Sequence, residues 1–346
     1  MTKVIDAHAH IFPSSFGPAP ASCDPASWPS TSPAPDVGPG AQFLNNGPMK
    51  FPARAVWFDA EKRLEASAAS GLDAELLSPF PALLPYKLDP AAGRDLSKVI
   101  NSYIAGLVSA FPGRFYGLGM VPLQDPDGAT SMLKEILDQG LLGVEVGSNV
   151  NGESLHTERY DGFWSEASRL GASVFVHGMP VPSPRLPGPA TATFGVGAEA
   201  TIGAAAIITG GVVEKYPDLR ISFSHAGGGL PMILGRANWF WGRTWNEEPP
   251  VPESERPEAE AWFSPHSPTE LARRCWYDSL VMDHRGIRFL ADLFGTDKLL
   301  VGSDFPAMGR EDPIARTLRG MEFSGSELDA MLWHNAFAFL GLEVPE

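Results

Sequence analysis

Eight short apolar runs punctuate the chain, and longer helical patterns separate most of them. The runs cover residues 4–12, 74–81, 115–123, 143–148, 173–178, 220–227, 275–280 and 299–306. Helical spacing of apolar residues covers 61–70, 95–110, 127–139, 159–171, 199–215 and 232–241. Alternating strand and helix predicts an α/β fold with a parallel sheet. Eight such units predict a closed (β/α)8 TIM barrel rather than an open sheet, and 346 residues suffice for one barrel with insertions.

Two segments break the alternation. Residues 13–52 are rich in Pro, Ser, Gly and Ala, and residues 245–268 are acidic and proline-rich. Neither shows the periodicity of an independent core, so both are expected as loop insertions on a single domain spanning 1–346.

Composition narrows the partners. The net charge of -15 argues against nucleic acid or an anionic membrane, because phosphates need a basic surface. It leaves room for an anionic small molecule, since a few arginines can reverse the field inside one pocket. Cys23 and Cys275, without a CxxC, exclude a disulfide framework and fit the cytoplasm. The opening MTKVIDAHAH lacks the apolar run of a signal peptide. No run of about 18 apolar residues is evident, so no membrane-spanning helix is expected.

The chemistry gathers at strand ends. His8 and His10 alternate on the first strand and so project together, a ready chelate for a divalent ion. His177 ends the fifth strand, His225 the sixth and Asp304 the eighth. Barrel enzymes draw catalytic residues from the C-terminal ends of several strands. A structural role for two partly buried histidines would explain the HxH alone, but not four strands ending in metal-binding groups at one mouth. His156, His266, His284 and His334 lie in loops, at edges or in the last helix, where ordinary packing or solvation suffices. Gly227-Gly228-Gly229 lacks the frame of a nucleotide loop and is read as a turn. Trp239, Trp241 and Trp245, near Arg243, suit either packing or a subunit interface.

The ordered set of His8, His10, His177, His225 and Asp304 resembles the amidohydrolase superfamily. More narrowly, the chain is similar to the branch of 2-amino-3-carboxymuconate-6-semialdehyde decarboxylase. The likeness includes Arg54 followed by Phe58-Asp59-Ala60-Glu61-Lys62-Arg63. It continues through Ser78-Pro79, Arg114-Phe115-Tyr116-Gly117, Gly210-Gly211-Val212, Lys215-Tyr216-Pro217 and Gly235-Arg236. It closes with Gly302-Ser303-Asp304-Phe305-Pro306 and Asn335-Ala336-Phe337. The resemblance implies one divalent ion, zinc with manganese as the alternative, held by His8, His10, His177 and Asp304. It implies that His225 and Asp304 are catalytic, His225 as acid/base. It implies that Arg54 and Arg236 hold a substrate carboxylate, Arg236 from the neighbouring subunit of a homodimer. The fourth strand, Gly143-Val144-Glu145-Val146-Gly147, lacks the lysine that bridges two metals in many relatives, which favours a single ion. The loop after strand five lacks the substrate-facing tryptophan of the muconate enzymes; Phe194 is the aromatic residue there.

The leading expectation is a carboxy-lyase: a metal-dependent, non-oxidative decarboxylase of a small unsaturated or aromatic carboxylic acid, serving aromatic catabolism. The alternative is a metal-dependent hydrolase or hydratase of a lactone, amide or activated ring on the same scaffold. A third reading, a non-catalytic binding protein, would not need the complete His and Asp set.

Overall fold

A computed structural model describes residues 3–179, 186–243, 245, 248–255 and 264–345. The first strand, Ile5–Ile11, pairs in parallel with Ala74–Pro79, which pairs with Phe115–Gly117. The third barrel strand resumes at Gly119–Met120 beside Gly143–Gly147. The order then runs through Ser173–His177, Arg220–Phe223, Trp276–Asp278 and Leu299–Leu300. The eighth strand returns to the first: Ala7 N donates to Val301 O at 2.7 Å, and Ala9 bridges Phe305. The chain is a closed (β/α)8 barrel, as its alternation of elements predicts.

Local sequence explains where the helices begin. Asp89 and Asp125 each stand before a proline, and their carboxylates accept the free amides that open Pro90–Ala110 and Pro126–Asp138. Asp59 and Asp283 do the same for Ala60–Ala69 and His284–Phe294. All seven residues of the first strand are buried, as in a strand covered on both faces. Ile5, Ala74, Phe175 and Leu300 form one core cluster with Phe337 and Phe339 of the C-terminal helix. Ile5 and Ala74 open their strands, so this packing covers the strand N-termini and leaves the C-termini for chemistry.

The first insertion carries a sheet of its own. Ser30–Pro33, Gln42–Asn46 and Met49–Ala53 pair antiparallel. Asn46 pairs with Met49, so Gly47-Pro48 makes the two-residue connection, with Gly47 at φ 54 in the left-handed region that glycine at the first turn position allows. Phe51 packs against Trp57 and Phe80 at ring-centroid distances of 5.2 and 5.1 Å, which ties this sheet to the barrel. Much of the second insertion lies outside the described residues. Its Trp245 is exposed, whereas Trp241 is buried and its indole donates to Ser264 O.

The helical run Thr191–Thr209 is long and apolar enough, by length and composition, to cross a membrane. Many of its residues are small Gly, Ala and Thr rather than bulky apolar groups. Ala204, Ile207 and Ile208 are buried on one side of it. The run packs against the fifth strand and the helices Leu230–Gly242 and Pro268–Ala272.

Candidate metal centre

His8 and His10 leave the first strand on the same side, and their Nε2 atoms stand 3.1 Å apart. Each turns its other ring nitrogen outward to oxygen. His8 Nδ1 lies 2.7 Å from Asp278 Oδ2. His10 Nδ1 lies 3.1 Å from both Ser78 Oγ and the Pro79 carbonyl, with Glu145 Oε2 at 3.5 Å. His177 Nδ1 lies 3.0 Å from the Gly178 carbonyl. With an ion bound, these acceptors would keep the ring proton of all three imidazoles on Nδ1 and leave the Nε2 lone pairs to converge on it.

Asp304 closes the group. Its Oδ1 lies 3.1 Å from His10 Nε2 and 3.6 Å from His8 Nε2, and its Oδ2 lies 3.6 Å from His225 Nε2. Donor atoms of His8, His177, His225 and Asp304 all fall within 4.8 Å of one another. His177 Nε2 is buried without a hydrogen-bond partner among the described residues. A buried lone pair left unpartnered is costly, and facing lone pairs repel; a cation between them resolves both. The residues therefore fit a divalent ion.

The electrostatics follow the same geometry. Burial disfavours a charge on His10, yet Glu145 and Asp304 outweigh it and push that imidazole up to about 10. His177 is driven well below the ordinary histidine value, first by burial and then by the neighbouring imidazoles. Burial opposes ionisation of Asp304, but hydrogen bonds with His10 and His225 hold its carboxyl far below the usual range.

Two residues of the centre are among the seven described non-glycine residues with positive φ. His225 has φ 53 and Asp304 has φ 56, a left-handed region that side chains other than glycine rarely adopt. The His225 turn is held by Asp278, which accepts the amides of His225 and Ala226 at 2.8 and 2.9 Å. The His225 side chain keeps 17% exposure, whereas the His8 and His10 side chains have none.

The family profile described as Amidohydrolase matches residues 5–342. The chain belongs to this family. This amidohydrolase is 30% identical to the 2-amino-3-carboxymuconate-6-semialdehyde decarboxylase of Dictyostelium discoideum, over 98% of its own length and 92% of that protein. It is 29% identical to the gamma-resorcylate decarboxylase of Rhodococcus jostii, over 47% of its own length and 54% of that protein. Its fold matches a dihydroxybenzoic acid decarboxylase from Polaromonas, solved with manganese and 2-nitroresorcinol. The TM-score is 0.74 at 18% identity, covering 99% of this chain and 97% of that one.

Three other expected site residues of the amidohydrolase lie on its surface. Arg54 is exposed and lines a depression with Val37, Lys62 and Glu65; none of the five central residues lines it. Arg236 is exposed on Leu230–Gly242, with its guanidinium 5.1 Å from the Phe240 ring centroid. Phe194, at 69% exposure, sits in a helical turn rather than a loop.

Several central groups went unnoticed in the sequence. Asp278 and Glu145 stand behind His8 and His10, at the seventh and fourth strands. Arg63 and Arg310 form a buried network with Asp6 and Glu75. Arg63 Nε reaches Glu75 at 2.7 Å, and Arg310 reaches Glu75 at 2.6 Å and Asp6 at 3.0 Å. Arg63 also donates to the His10 carbonyl at 2.6 Å, which couples the network to the centre. The available signal was a lone carboxylate inside an otherwise apolar strand run, as in Ala74-Glu75-Leu76 and Val144-Glu145-Val146.

Proposed function

We propose that the chain is a metal-dependent, non-oxidative decarboxylase of a small unsaturated or aromatic carboxylic acid. The observation that carries this reading is the donor cluster of His8, His177, His225 and Asp304, with His10 Nε2 3.1 Å from His8 Nε2, at the end of a barrel whose full-length relative is a decarboxylase. His8, His10, His177 and Asp304 hold one ion, and three imidazoles with a carboxylate suit zinc. When bound, that ion supplies Lewis acidity toward a substrate oxygen.

The protein groups do the rest. As the bond to the carboxylate carbon breaks, its electron pair stays on the substrate carbon and CO2 departs. His225 delivers the proton that replaces the carboxylate. Its greater exposure than His8 and His10, and its separate turn, suit it to proton exchange rather than ligation. Asp304 orients His225 through its Oδ2.

We assign substrate contacts to Arg54, Arg236 and Phe194, and a homodimer in which Arg236 serves the partner's pocket. Supporting the dimer, Met232, Ile233 and Phe240 are exposed apolar residues on the helix that carries Arg236. The assignment of Arg54 rests on the resemblance alone. Cytoplasmic catabolism of aromatic acids fits this chemistry and the two free cysteines.

The deciding experiment incubates the metal-loaded protein with muconate-type semialdehydes and hydroxylated benzoates. CO2 release without consumption of oxygen or nicotinamide is expected. A hydrolysed or hydrated product that retains its carboxylate, without CO2, overturns the reading.

A further inference from the structure

A cavity of 690 Å³, lined by none of the five central residues, opens among segments that follow strands of the centre, and its size is within the range that holds small ligands. Its walls grow from strands that build the centre. Residues 82–88 follow the second strand, whose Ser78 and Pro79 face His10. Asn149 follows the fourth strand, and Met179 follows His177 by two residues. The tip of the insertion hairpin, Asn46 to Met49, supplies a further wall. The insertion is thus part of the cavity rather than a remote appendage.

Most polar groups on these walls are engaged with the protein itself. The amide nitrogen of Asn46 donates to Ala82 O, that of Asn149 to Met179 O and Glu199, and that of Asn151 to Tyr86 O. Tyr86 Oη accepts the Gly147 amide. The remaining wall is largely apolar, including Met49, Leu83, Leu88 and Met179. Lys87 is the exception. It is exposed, lines the cavity, and has no ion-pair partner among the described residues. Asp89, two residues on, is engaged in capping Ala91 and Ala92. On a chain of net charge -15, a free ammonium at an apolar cavity marks a place for an anion.

We propose that this cavity is a substrate subsite for an apolar arm ending in a second anionic group, held by Lys87. The subsite rests on the decarboxylase reading for its connection to catalysis. The substrate is then larger than a bare dihydroxybenzoate, and the insertion hairpin selects for that size.

Calorimetry on the metal-loaded protein can compare 2,6-dihydroxybenzoate with the same acid carrying a carboxypropyl chain at C4. The extended acid is expected to bind at least about tenfold more tightly. Lys87→Glu, a change at an exposed residue, is expected to remove most of that preference, and Met49→Trp to reduce it by filling the cavity. Equal binding of the two acids, no binding of the extended acid, or a preference unchanged in Lys87→Glu overturns the subsite. CO2 release in the same samples separates the two claims. CO2 without a preference leaves the decarboxylase and removes the subsite, whereas a Lys87-dependent preference without CO2 does the reverse.

Discussion

Asp278 Oδ2 stands 2.7 Å from His8 Nδ1 and also accepts the His225 amide at 2.8 Å. One buried carboxylate thus orients the His8 imidazole and pins the left-handed turn that carries His225. Burial opposes its ionisation, but the hydrogen bond from His8 and the charges nearby hold its carboxyl below the ordinary range.

Asp278→Asn is therefore expected to weaken metal affinity about 10- to 100-fold, the usual effect of losing an outer-sphere partner, and to lower kcat as the His225 turn loosens. Chelator competition measures the first and steady-state kinetics at saturating metal the second. Unchanged affinity would show that His8 is oriented by other means.

His225→Ala should retain its ion while kcat falls at least about 100-fold, the scale for removal of an acid/base. Elemental analysis should still find about one ion per chain. Loss of the ion from a folded variant would instead make His225 a ligand, a role its place among the clustered donor atoms would permit.

Arg236 and His225 should complement across subunits. If Arg236 serves the partner's pocket, hybrids of an inactive Arg236→Ala chain and an inactive His225→Ala chain each contain one intact site. Partial recovery of activity on mixing and refolding is expected. Absence of recovery in hybrids isolated by differential tagging would place the arginine's action within its own chain.

Acid stability should depend on Glu75. Burial raises its pKa, but Arg310 and Arg63 outweigh that and bring it down to about 2 from 4.5. A depressed carboxylate contributes stability that is present above the unfolded value and lost as pH falls through the folded one. The loss should run from about pH 4.5 down to about pH 2. Glu75→Gln should flatten that part of the profile and lower stability at pH 7 by about 3–5 kcal/mol, because two buried arginines lose a partner. Denaturant melts from pH 2 to 7 measure both. An unchanged acid limb would show that other carboxylates govern it.

The barrel and its reactive end were legible because both depend on local periodicity. Strand runs alternate with helical runs, and alternate strand residues share a face, so His8 and His10 had to project together. The hairpin of the first insertion turns at Gly47-Pro48, and the proline-rich surroundings obscured it. Arg54, Arg236 and Phe194 came from resemblance, and each is exposed in the chain by itself.

The sequence by itself determined the order of strands and helices, the divalent-metal chemistry of histidines and aspartate at strand ends, and the caps that start the helices. These follow from covalent geometry, side-chain period and donor type, all of which act over a few residues. Tertiary structure alone decided which carboxylate stands behind which histidine, and that Arg63 and Arg310 share Glu75 beneath the centre. His8 and Asp278 lie 270 residues apart, and Arg310 and Glu75 lie 235 apart. Only closure of the barrel brings such groups into one low-dielectric interior, where a buried charge must find a partner.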